Sequence, residues 1–389
     1  MRCILHIGTE KTGTTTLQRF LHLNRQRLGR RGLLVPTAAG FENQSGLAVA
    51  SYREDRRDDL TTQWQIGADR AIHRFRIDLR DRLAAEVAAG GCQTLVCTSE
   101  HLQSRLTAAE EVASLRLFLE AIGARAVEVV VYLRRPAEIL NSLCSTLFSN
   151  GHHMPAPPGP DHHYLHNLCD HRGTIERWSE AFGRDALRPR IYGPKTLVGG
   201  SILDDFAAAT GIDTAGLVRP ASANRGLSAI AAEVLHRVNV QMATRSPAKP
   251  ISPSRDIVAA VDAVYGQGPA YALPAEAWDR YDEAFAESDE WVRRAFFPER
   301  DSLWEDAARP AVGGCGLTGD RLDRIAEQLA EICIRRGWCR PRDAVPKLRV
   351  PGLPQRLIDK TTRMMRRAVL TAAVKAEHRQ SARTAGSRP

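Results

Sequence analysis

The segment that indicates the fold lies near the start of the sequence and reads Cys3-Ile4-Leu5-His6-Ile7-Gly8-Thr9-Glu10-Lys11-Thr12-Gly13-Thr14-Thr15. Its first five residues form a short apolar run that ends at Gly8, a pattern typical of a buried strand. From Thr14 to about Leu28, leucine and phenylalanine recur at helical spacing and predict a helix. A glycine-rich turn between a strand and a helix directs backbone N–H groups at an anion. The segment therefore predicts an anion-binding strand–loop–helix unit.

Strand and helix patterns continue to alternate after this unit. Val127–Leu133 is β-branched and almost wholly apolar, as is typical of a parallel strand covered on both faces. Residues 38–66 are predicted as a long irregular insertion and residues 164–182 as one helix. The other predicted strands are 94–98 and 187–192. The alternation predicts an α/β fold with a parallel sheet flanked by helices, followed after about residue 220 by a mostly helical region.

Charge is distributed unevenly along the chain. The 389 residues include 54 Lys and Arg against 45 Asp and Glu, a net charge of +9. Residues 340–389 hold 13 of the basic and 3 of the acidic residues, so the rest of the chain is almost neutral. We therefore predict three parts: an α/β core at 1–215, a helical region packed on it at 216–340, and a basic tail at 341–389.

The loop has the spacing of a P-loop but differs from it at the lysine. Gly8 and Gly13 are separated by four residues, but the residue after Gly13 is Thr14, and the lysine lies inside the loop at Lys11. The strand 127–133 runs into Arg134 and Arg135, and no aspartate suited to Mg²⁺ is evident at a strand end. A P-loop-type phosphate cradle without a metal favours transfer of a group less charged than a phosphoryl.

Two motifs resemble those of the sulfotransferase superfamily that uses 3′-phosphoadenosine-5′-phosphosulfate (PAPS). Residues 289–298 resemble a stretch found in many bacterial members, so the chain is most similar to the bacterial, carbohydrate-type sulfotransferases. The family's 5′-phosphosulfate loop reads Lys-x-Gly-Thr-Thr, and residues 11–15 match each defined position. In its 3′-phosphate motif, a strand ends in Arg and a Ser follows eight residues later. Arg134 and Ser142 have this spacing, with Pro136 at the usual position between them.

The resemblance implies a role for each matched residue. Lys11 would stabilise the bridging oxygen and the 5′-phosphate of PAPS during sulfuryl transfer. Arg134 and Ser142 would hold the 3′-phosphate, for which arginine is a planar, multidentate donor. No metal is required. The residues that would hold the 5′-phosphate with Lys11 are Thr12, Gly13, Thr14 and Thr15.

The acceptor hydroxyl needs a general base, and the sequence offers two adjacent candidates after the predicted strand 94–98. Glu100 and His101 lie where the carboxyl ends of parallel strands face a ligand crevice. Many carbohydrate sulfotransferases use a glutamate, whereas cytosolic small-molecule members use a histidine followed by leucine. Neighbours on an extended chain point to opposite sides, so one residue is expected to face the site. We favour Glu100, with His101 as the alternative.

Other functions remain open from the sequence. A P-loop kinase or nucleotide triphosphatase is disfavoured by the position of Lys11 and the missing Mg²⁺ aspartate. A non-catalytic nucleotide-binding interaction protein is disfavoured because Lys11, Arg134 and Ser142 are all present. A carbohydrate or glycolipid acceptor is favoured, and residues 38–66 and 151–163 are expected to line its site.

The histidines and the basic tail suggest further contacts. Six of the twelve histidines fall in residues 152–171, but they lack a standard metal-ligand spacing, so an acceptor-side loop is favoured over a zinc site. The tail 341–389 has the pattern of a basic amphipathic helix, which would dock on the body or contact an anionic membrane. Its lack of aromatic residues makes nucleic acid an unlikely partner. Cysteine usage and the absence of a membrane-length apolar run predict a cytoplasmic protein, peripheral at most at the inner face of the cell membrane.

Overall fold

The computed structural model describes residues 1–67, 71–221, 226–246, 251–304 and 317–341. The chain divides into two compact units, neither of which is one continuous stretch of sequence. The first unit comprises residues 1–139, 159–224 and 279–305, and the second comprises 140–158, 225–278 and the part from 306 onwards. The predicted boundary between residues 215 and 216 stays a prediction. The predicted basic tail, from residue 342 onwards, lies outside the described residues.

A five-stranded parallel sheet forms the centre of the first unit. Its spatial order is β2-β3-β1-β4-β5, and each neighbouring pair runs parallel. The strands are β1 (Arg2–His6), β2 (Leu33–Leu34), β3 (Thr94–Thr98), β4 (Ala126–Leu133) and β5 (Leu187–Ile191). The predicted α/β class and parallel sheet are confirmed. The two-residue β2 was not predicted, because so short a strand has no readable periodicity.

Fifteen α-helices occur in the described residues. In chain order they are α1 (Thr14–Leu23), α2 (Arg25–Gly29), α3 (Gly46–Ser51), α4 (Asp59–Gln63), α5 (Ile72–Gly90), α6 (His101–Arg105), α7 (Ala109–Ala121), α8 (Pro136–Ser149), α9 (His163–Cys169), α10 (His171–Phe182), α11 (Ile202–Thr210), α12 (Ala229–Arg245), α13 (Arg255–Tyr265), α14 (Ala275–Phe296) and α15 (Gly319–Arg335). Helices α1 to α7 and α9 to α11 belong to the first unit, and α12, α13 and α15 belong to the second.

Both faces of the sheet are buried, as the apolar sequence of β4 predicted. Side chains alternate across a strand, so Val129, Val131 and Leu133 join one apolar cluster. Val130 and Tyr132 join the other cluster on the opposite face. Residues of β1 and β3 also join both clusters. The loops that follow β1, β3 and β4 therefore leave from strands that are packed on both faces.

The predicted helix from Thr14 to Leu28 is wrong at Asn24, where it breaks into α1 and α2. The buried Asn24 amide donates to the backbone oxygens of Phe20 and Val218, each at 2.8 Å. Its side-chain oxygen accepts from the Val218 N–H at 2.8 Å. Asparagine readily replaces backbone partners in this way, so a tertiary contact ends the helix where the apolar pattern would have continued it.

Two other predicted elements also differ from the structure. The helix predicted at 164–182 breaks at Asp170, whose carboxylate accepts from the Gly173 N–H at 3.1 Å and caps α10. The insertion at 38–66 is not wholly irregular, since it contains α3 and α4. Helix α3 is wholly buried, and α4 is capped by the Asp58 side chain. Neither feature is visible to a search for apolar periodicity in such short helices.

The second unit is mostly helical, in agreement with the prediction for the later part of the chain. Helix α12 packs against α13 and α15, and it buries Val234, Leu235, Val238 and Met242. A small antiparallel pair joins β6 (Ile251–Pro253) to β7 (Cys339–Pro341). Within the described ranges, none of the helices combines the length and apolarity needed to span a membrane.

Candidate functional site

The loop between β1 and α1 is shaped by residues with positive φ. Gly8 has φ 107°, Lys11 φ 65° and Gly13 φ 77°. No side chain caps α1, and its first turn is closed when the Thr16 N–H donates to the Gly13 oxygen at 2.9 Å. The N–H groups of Thr14 and Thr15 precede that bond, at the positive end of the helix dipole. The predicted anion-binding geometry is therefore present at the start of α1.

Close packing explains the two glycines of this loop. A Cβ on Gly8 would lie 3.1 Å from Glu100 Cα and 3.2 Å from Glu100 Cβ. A Cβ on Gly13 would lie 3.3 Å from both the ring and the hydroxyl of Tyr192. Gly8 thus allows the residue that follows β3 to pack directly on the loop, and Gly13 allows Tyr192 to cover the start of α1.

Lys11 lies among charged side chains that the fold brings together from three loops. Burial lowers the pKa of Lys11, the Glu10 and Glu100 carboxylates counter this effect, and the Arg134 guanidinium adds to it. The backbone oxygen of Lys11 accepts from Arg134 Nη1 at 2.7 Å. The predicted lysine of one motif is therefore bonded directly to the predicted arginine of the other.

Arg134 leaves the end of β4 and is held on several sides. Its Nε donates to Glu138 Oε2 at 2.9 Å, and its guanidinium lies 5.5 Å from the ring centroid of Tyr192. Its backbone oxygen accepts from the Nε2 of His171 at 2.8 Å. The side chain is 22% exposed, so it is accessible to a ligand while its direction is largely set.

Ser142 lies on α8, eight residues after Arg134 in the sequence. Glu138 and Ser142 are four residues apart, so they share one face of this helix. The boundary between the two compact units falls inside α8, with Arg134 in the first unit and Ser142 in the second. The joint role of Arg134 and Ser142 toward a 3′-phosphate stays a prediction.

The two candidate bases lie at the start of α6. Glu100 has helical backbone angles and His101 is the first residue of the helix, so the argument from an extended chain does not apply to this pair. Glu100 Oε2 accepts from Gln18 Nε2 at 2.5 Å and from Asn43 Nδ2 at 3.0 Å. Nδ1 of His101 is buried and has no hydrogen-bond partner within the described ranges. The structure thus orients Glu100 by two amide donors.

Several residues of the site were not identified from the sequence. Gln18 and Asn43 bond Glu100 from positions 82 and 57 residues away. Tyr164 donates its hydroxyl to Glu10 Oε2 at 2.6 Å, beside Lys11 in the loop. No local motif marks these residues. One weak signal was available, since Asn43 lies in the 38–66 insertion and Tyr164 follows the 151–163 loop.

Tyr164 and its neighbours form a buried polar group next to the loop. Burial raises the pKa of the Tyr164 hydroxyl well above its usual range, and the Glu10 carboxylate adds to the rise. The Arg105 guanidinium lies 5.5 Å from the Tyr164 ring centroid. Tyr164 is therefore a neutral hydrogen-bond donor that holds Glu10 in place.

A metal-binding cluster was also sought among the described residues. In these ranges no three His, Cys, Asp or Glu side chains group in a way that could hold a metal ion. The cations around the loop are Lys11, Arg105 and Arg134, and they suit an anionic ligand.

Comparison with known proteins gives one similar structure. No protein-family model and no curated protein matches the chain. Among solved structures, the chain is similar to a sulfotransferase from Alicyclobacillus acidocaldarius, with 13% sequence identity and a TM-score of 0.37. The similarity covers 71% of this chain and 98% of that chain. At this distance, the function has to be argued from the residues of the site.

Proposed function

We propose that the protein is a sulfotransferase that moves a sulfuryl group from PAPS to an acceptor hydroxyl. The observation that carries the proposal is the position of Lys11, which lies within electrostatic reach of Glu100 and bonds Arg134 through its backbone. A leaving-group cation, a candidate base and a second phosphate-binding cation therefore converge on one loop. Sulfuryl transfer requires these three parts.

The donor side of the site fits a nucleotide with two separate phosphate groups. The N–H groups of Thr14 and Thr15, with the hydroxyls of these two residues, would hold the 5′-phosphosulfate. The Thr12 side chain does not fit the predicted role, because it is fully buried and its hydroxyl donates to the Thr9 backbone oxygen at 2.6 Å. Arg134 would bind the 3′-phosphate through the guanidinium that now pairs with Glu138. The role of Ser142, which belongs to the second unit, stays a prediction from the sequence. PAPS would supply the transferable sulfuryl group, and the chain would bind and orient it.

The reaction balances with groups on this chain. The acceptor oxygen forms a bond to sulfur as the bond from sulfur to the bridging phosphate oxygen breaks. The acceptor proton passes to a carboxylate, and the leaving group is 3′-phosphoadenosine-5′-phosphate (PAP). Lys11 would stabilise the negative charge that develops on the leaving phosphate.

Glu100 is the base that we favour, with His101 as the alternative. Gln18 and Asn43 both donate to Oε2 of the Glu100 carboxylate. We therefore propose that Oε1 takes the proton of the acceptor hydroxyl. Gln18 and Asn43 would orient the carboxylate for this transfer. The close contact of Glu100 with Gly8 keeps the base beside the phosphate loop.

The acceptor and the cellular location are proposed at a coarser level. We favour a hydroxyl on a carbohydrate or glycolipid, bound near Asn43 and Tyr164. The basic tail 341–389 would dock on the body of the protein or, as the second alternative, contact an anionic membrane surface from the cytoplasm. A nucleic-acid partner is not proposed.

Thermal-shift and calorimetric titration test the cofactor. We expect PAP to stabilise the protein without Mg²⁺ and more strongly than ATP does. A preference for Mg·ATP would instead favour a kinase or nucleotide triphosphatase. PAP binding without transfer to extracted cell-envelope lipids or polysaccharides would favour a non-catalytic nucleotide-binding protein.

Replacement of Lys11 tests the catalytic assignment. We expect Lys11→Ala to lower the rate of sulfuryl transfer from labelled PAPS by at least about 100-fold, because one preorganised transition-state contact typically contributes this much. Lys195 is exposed and provides the matched control, since Lys195→Ala removes the same charge elsewhere. Equal activity of the two variants would contradict the assignment.

A further inference from the structure

A buried polar side chain is hydrogen-bonded to the main chain of Arg134. His171 is fully buried at the start of α10, and its Nε2 bonds the Arg134 backbone oxygen at 2.8 Å. A carbonyl oxygen only accepts hydrogen bonds, so Nε2 carries the proton and donates. Burial lowers the pKa of His171 to about 4, which keeps the ring neutral near pH 7. The donor is therefore maintained over the physiological pH range.

A tryptophan that is bonded to α14 contacts the ring of this histidine. The rings of His171 and Trp304 meet edge to face at 5.7 Å between centroids. Trp304 Nε1 donates to Asp289 Oδ2 at 2.6 Å, and Asp289 is buried on α14. The His171 ring is thus oriented by a tryptophan that is itself bonded to α14.

A second link joins the same helix to the residue next to Arg134. Arg135 makes a two-point ion pair with Asp282 on α14, at 2.9 Å from Nε and 2.6 Å from Nη2. Asp282 and Asp289 are seven residues apart, so they lie on the same side of α14 after two turns. At the exit of β4, Arg135 is therefore bonded to α14 through its side chain, and Arg134 is linked to α14 indirectly, through His171 and Trp304.

The start of α10 is attached to α14 as well. Ser288 Oγ donates to Asp170 Oδ1 at 2.9 Å and accepts from the Arg172 N–H at 2.9 Å. Asp170 caps α10 immediately before His171. Within the first unit, Asp282 and Ser288 thus bond α14 directly to the segments that carry Arg134 and His171, and Asp289 bonds Trp304, whose ring contacts His171.

We propose that His171 and α14 act as a brace that orients Arg134 toward the 3′-phosphate of the nucleotide, so that these residues set the selectivity for PAP over 5′-AMP. This inference rests on the proposed function, in which Arg134 binds the 3′-phosphate. His171 and Asp282 are positioning residues, since His171 bonds the main chain of Arg134 and Asp282 bonds the side chain of the adjacent Arg135. The brace gives a role to the part of α14 from Asp282 to Asp289, which lies outside both phosphate-binding motifs.

Selectivity is measured as the ratio of the dissociation constants for 5′-AMP and PAP, which differ by the 3′-phosphate alone. We expect Arg134→Ala to lower this ratio by about 10- to 100-fold, the usual contribution of hydrogen bonds to a charged group. His171→Leu removes the donor to Arg134 and is expected to lower the ratio by about 10-fold, with little change in 5′-AMP affinity. His171→Gln retains a side-chain N–H donor and is expected to recover much of the ratio.

Two further variants separate positioning from stability. Ile175→Ala removes a buried side chain on the same helix without touching the Arg134 contact, so it should lower stability and leave the ratio unchanged. Asp282→Asn alters a partly exposed side chain, so this variant is expected to fold even if His171→Leu does not. It should lower the ratio of the 5′-AMP and PAP dissociation constants about threefold.

The outcomes distinguish the brace from the proposed function. A wild-type protein without preference for PAP over 5′-AMP would overturn both proposals together. A wild-type preference that survives unchanged in His171→Leu and Asp282→Asn would overturn the brace alone. Parallel losses in His171→Leu and Ile175→Ala would also overturn it, since the effect would then be one of stability.

Discussion

Individual residues at this site act through a few short contacts. Glu100 is held by two amide donors and packs on Gly8, while Lys11 and Arg134 are joined through a backbone oxygen. Lys11, Glu100 and Arg134 were candidates from the sequence, with His101 as the alternative to Glu100, and their roles stay predictions. Sequence patterns did not indicate that Gln18 and Asn43 bond Glu100 or that Tyr164 bonds Glu10, because residues separated by 57 to 154 positions meet only after folding.

The choice between Glu100 and His101 can be tested directly. We expect Glu100→Gln to lower kcat by about 100-fold or more, because a positioned general base typically contributes 10²–10⁴. The amide keeps the size of the side chain and leaves PAP binding nearly intact. His101→Gln is the matched variant, and a larger loss there than in Glu100→Gln would move the base to His101.

Tyr164 is predicted to contribute by holding Glu10. Tyr164→Phe removes the hydroxyl that donates to Glu10 Oε2 and leaves the ring beside Arg105. A lost hydrogen bond to a charged group costs about 1.5–3 kcal/mol, so transfer activity should fall by about 10-fold or more. Tyr271→Phe in the second unit serves as a control in the steady-state transfer assay. Equal activity of wild type and Tyr164→Phe would exclude this role.

At the level of elements, the unit formed by β1, the loop after it and α1 matches the local sequence pattern. The predicted strand, loop and helix are all present, because apolar runs and glycines act locally. The end of α1 at Asn24 and the break at Asp170 were not predicted, because side chains from distant segments or from the next turn end those helices. Local patterns thus identified the element that carries the site better than they identified its limits.

Two glycines with similar backbone angles test the role of close packing. Gly13 has φ 77° and Gly211 has φ 72°, but only Gly13 would place a Cβ within 4 Å of other atoms. Alanine at either position is expected to cost about 1–2 kcal/mol of stability for the left-handed backbone. We expect Gly13→Ala to weaken PAP binding as well, and Gly211→Ala to leave it unchanged, as measured by calorimetry. Equal PAP affinities would contradict the packing argument.

For the whole molecule, the free energy of unfolding should depend on the buried Asp289. Burial raises the pKa of Asp289 to about 7, with contributions from Asp282 and Asp170, while Trp304 and Arg135 oppose the rise. Its usual value is 3.8, so the folded state binds an extra proton between about pH 4 and 7. The corresponding stability is fully present below pH 4 and is lost as the pH rises through 7.

Chemical denaturation of Asp289→Asn at several pH values tests this dependence. Wild type should lose up to about 1.4 kcal/mol per pH unit relative to the variant between pH 4 and 7. The variant should therefore be relatively more stable at pH 8 than at pH 5. Asp81→Asn, at an exposed position on α5, is the control and should run parallel to wild type. A pH-independent difference between wild type and Asp289→Asn would contradict the assignment.

The sequence by itself determined the α/β class and the glycine-rich loop between the first strand and the first helix, and it supplied Lys11, Glu100 and Arg134 as candidate site residues. These follow from apolar periodicity and from the spacing of glycine and charged residues, which are local properties of the chain. The tertiary structure alone decided that Arg134 bonds the backbone of Lys11 and that Gln18 and Asn43 hold Glu100. It also decided that His171 bonds the main chain of Arg134, just after β4, and that Asp282 of α14 bonds Arg135. Such contacts depend on which strand ends become neighbours, and the order of strands in a sheet is set by packing over the whole unit.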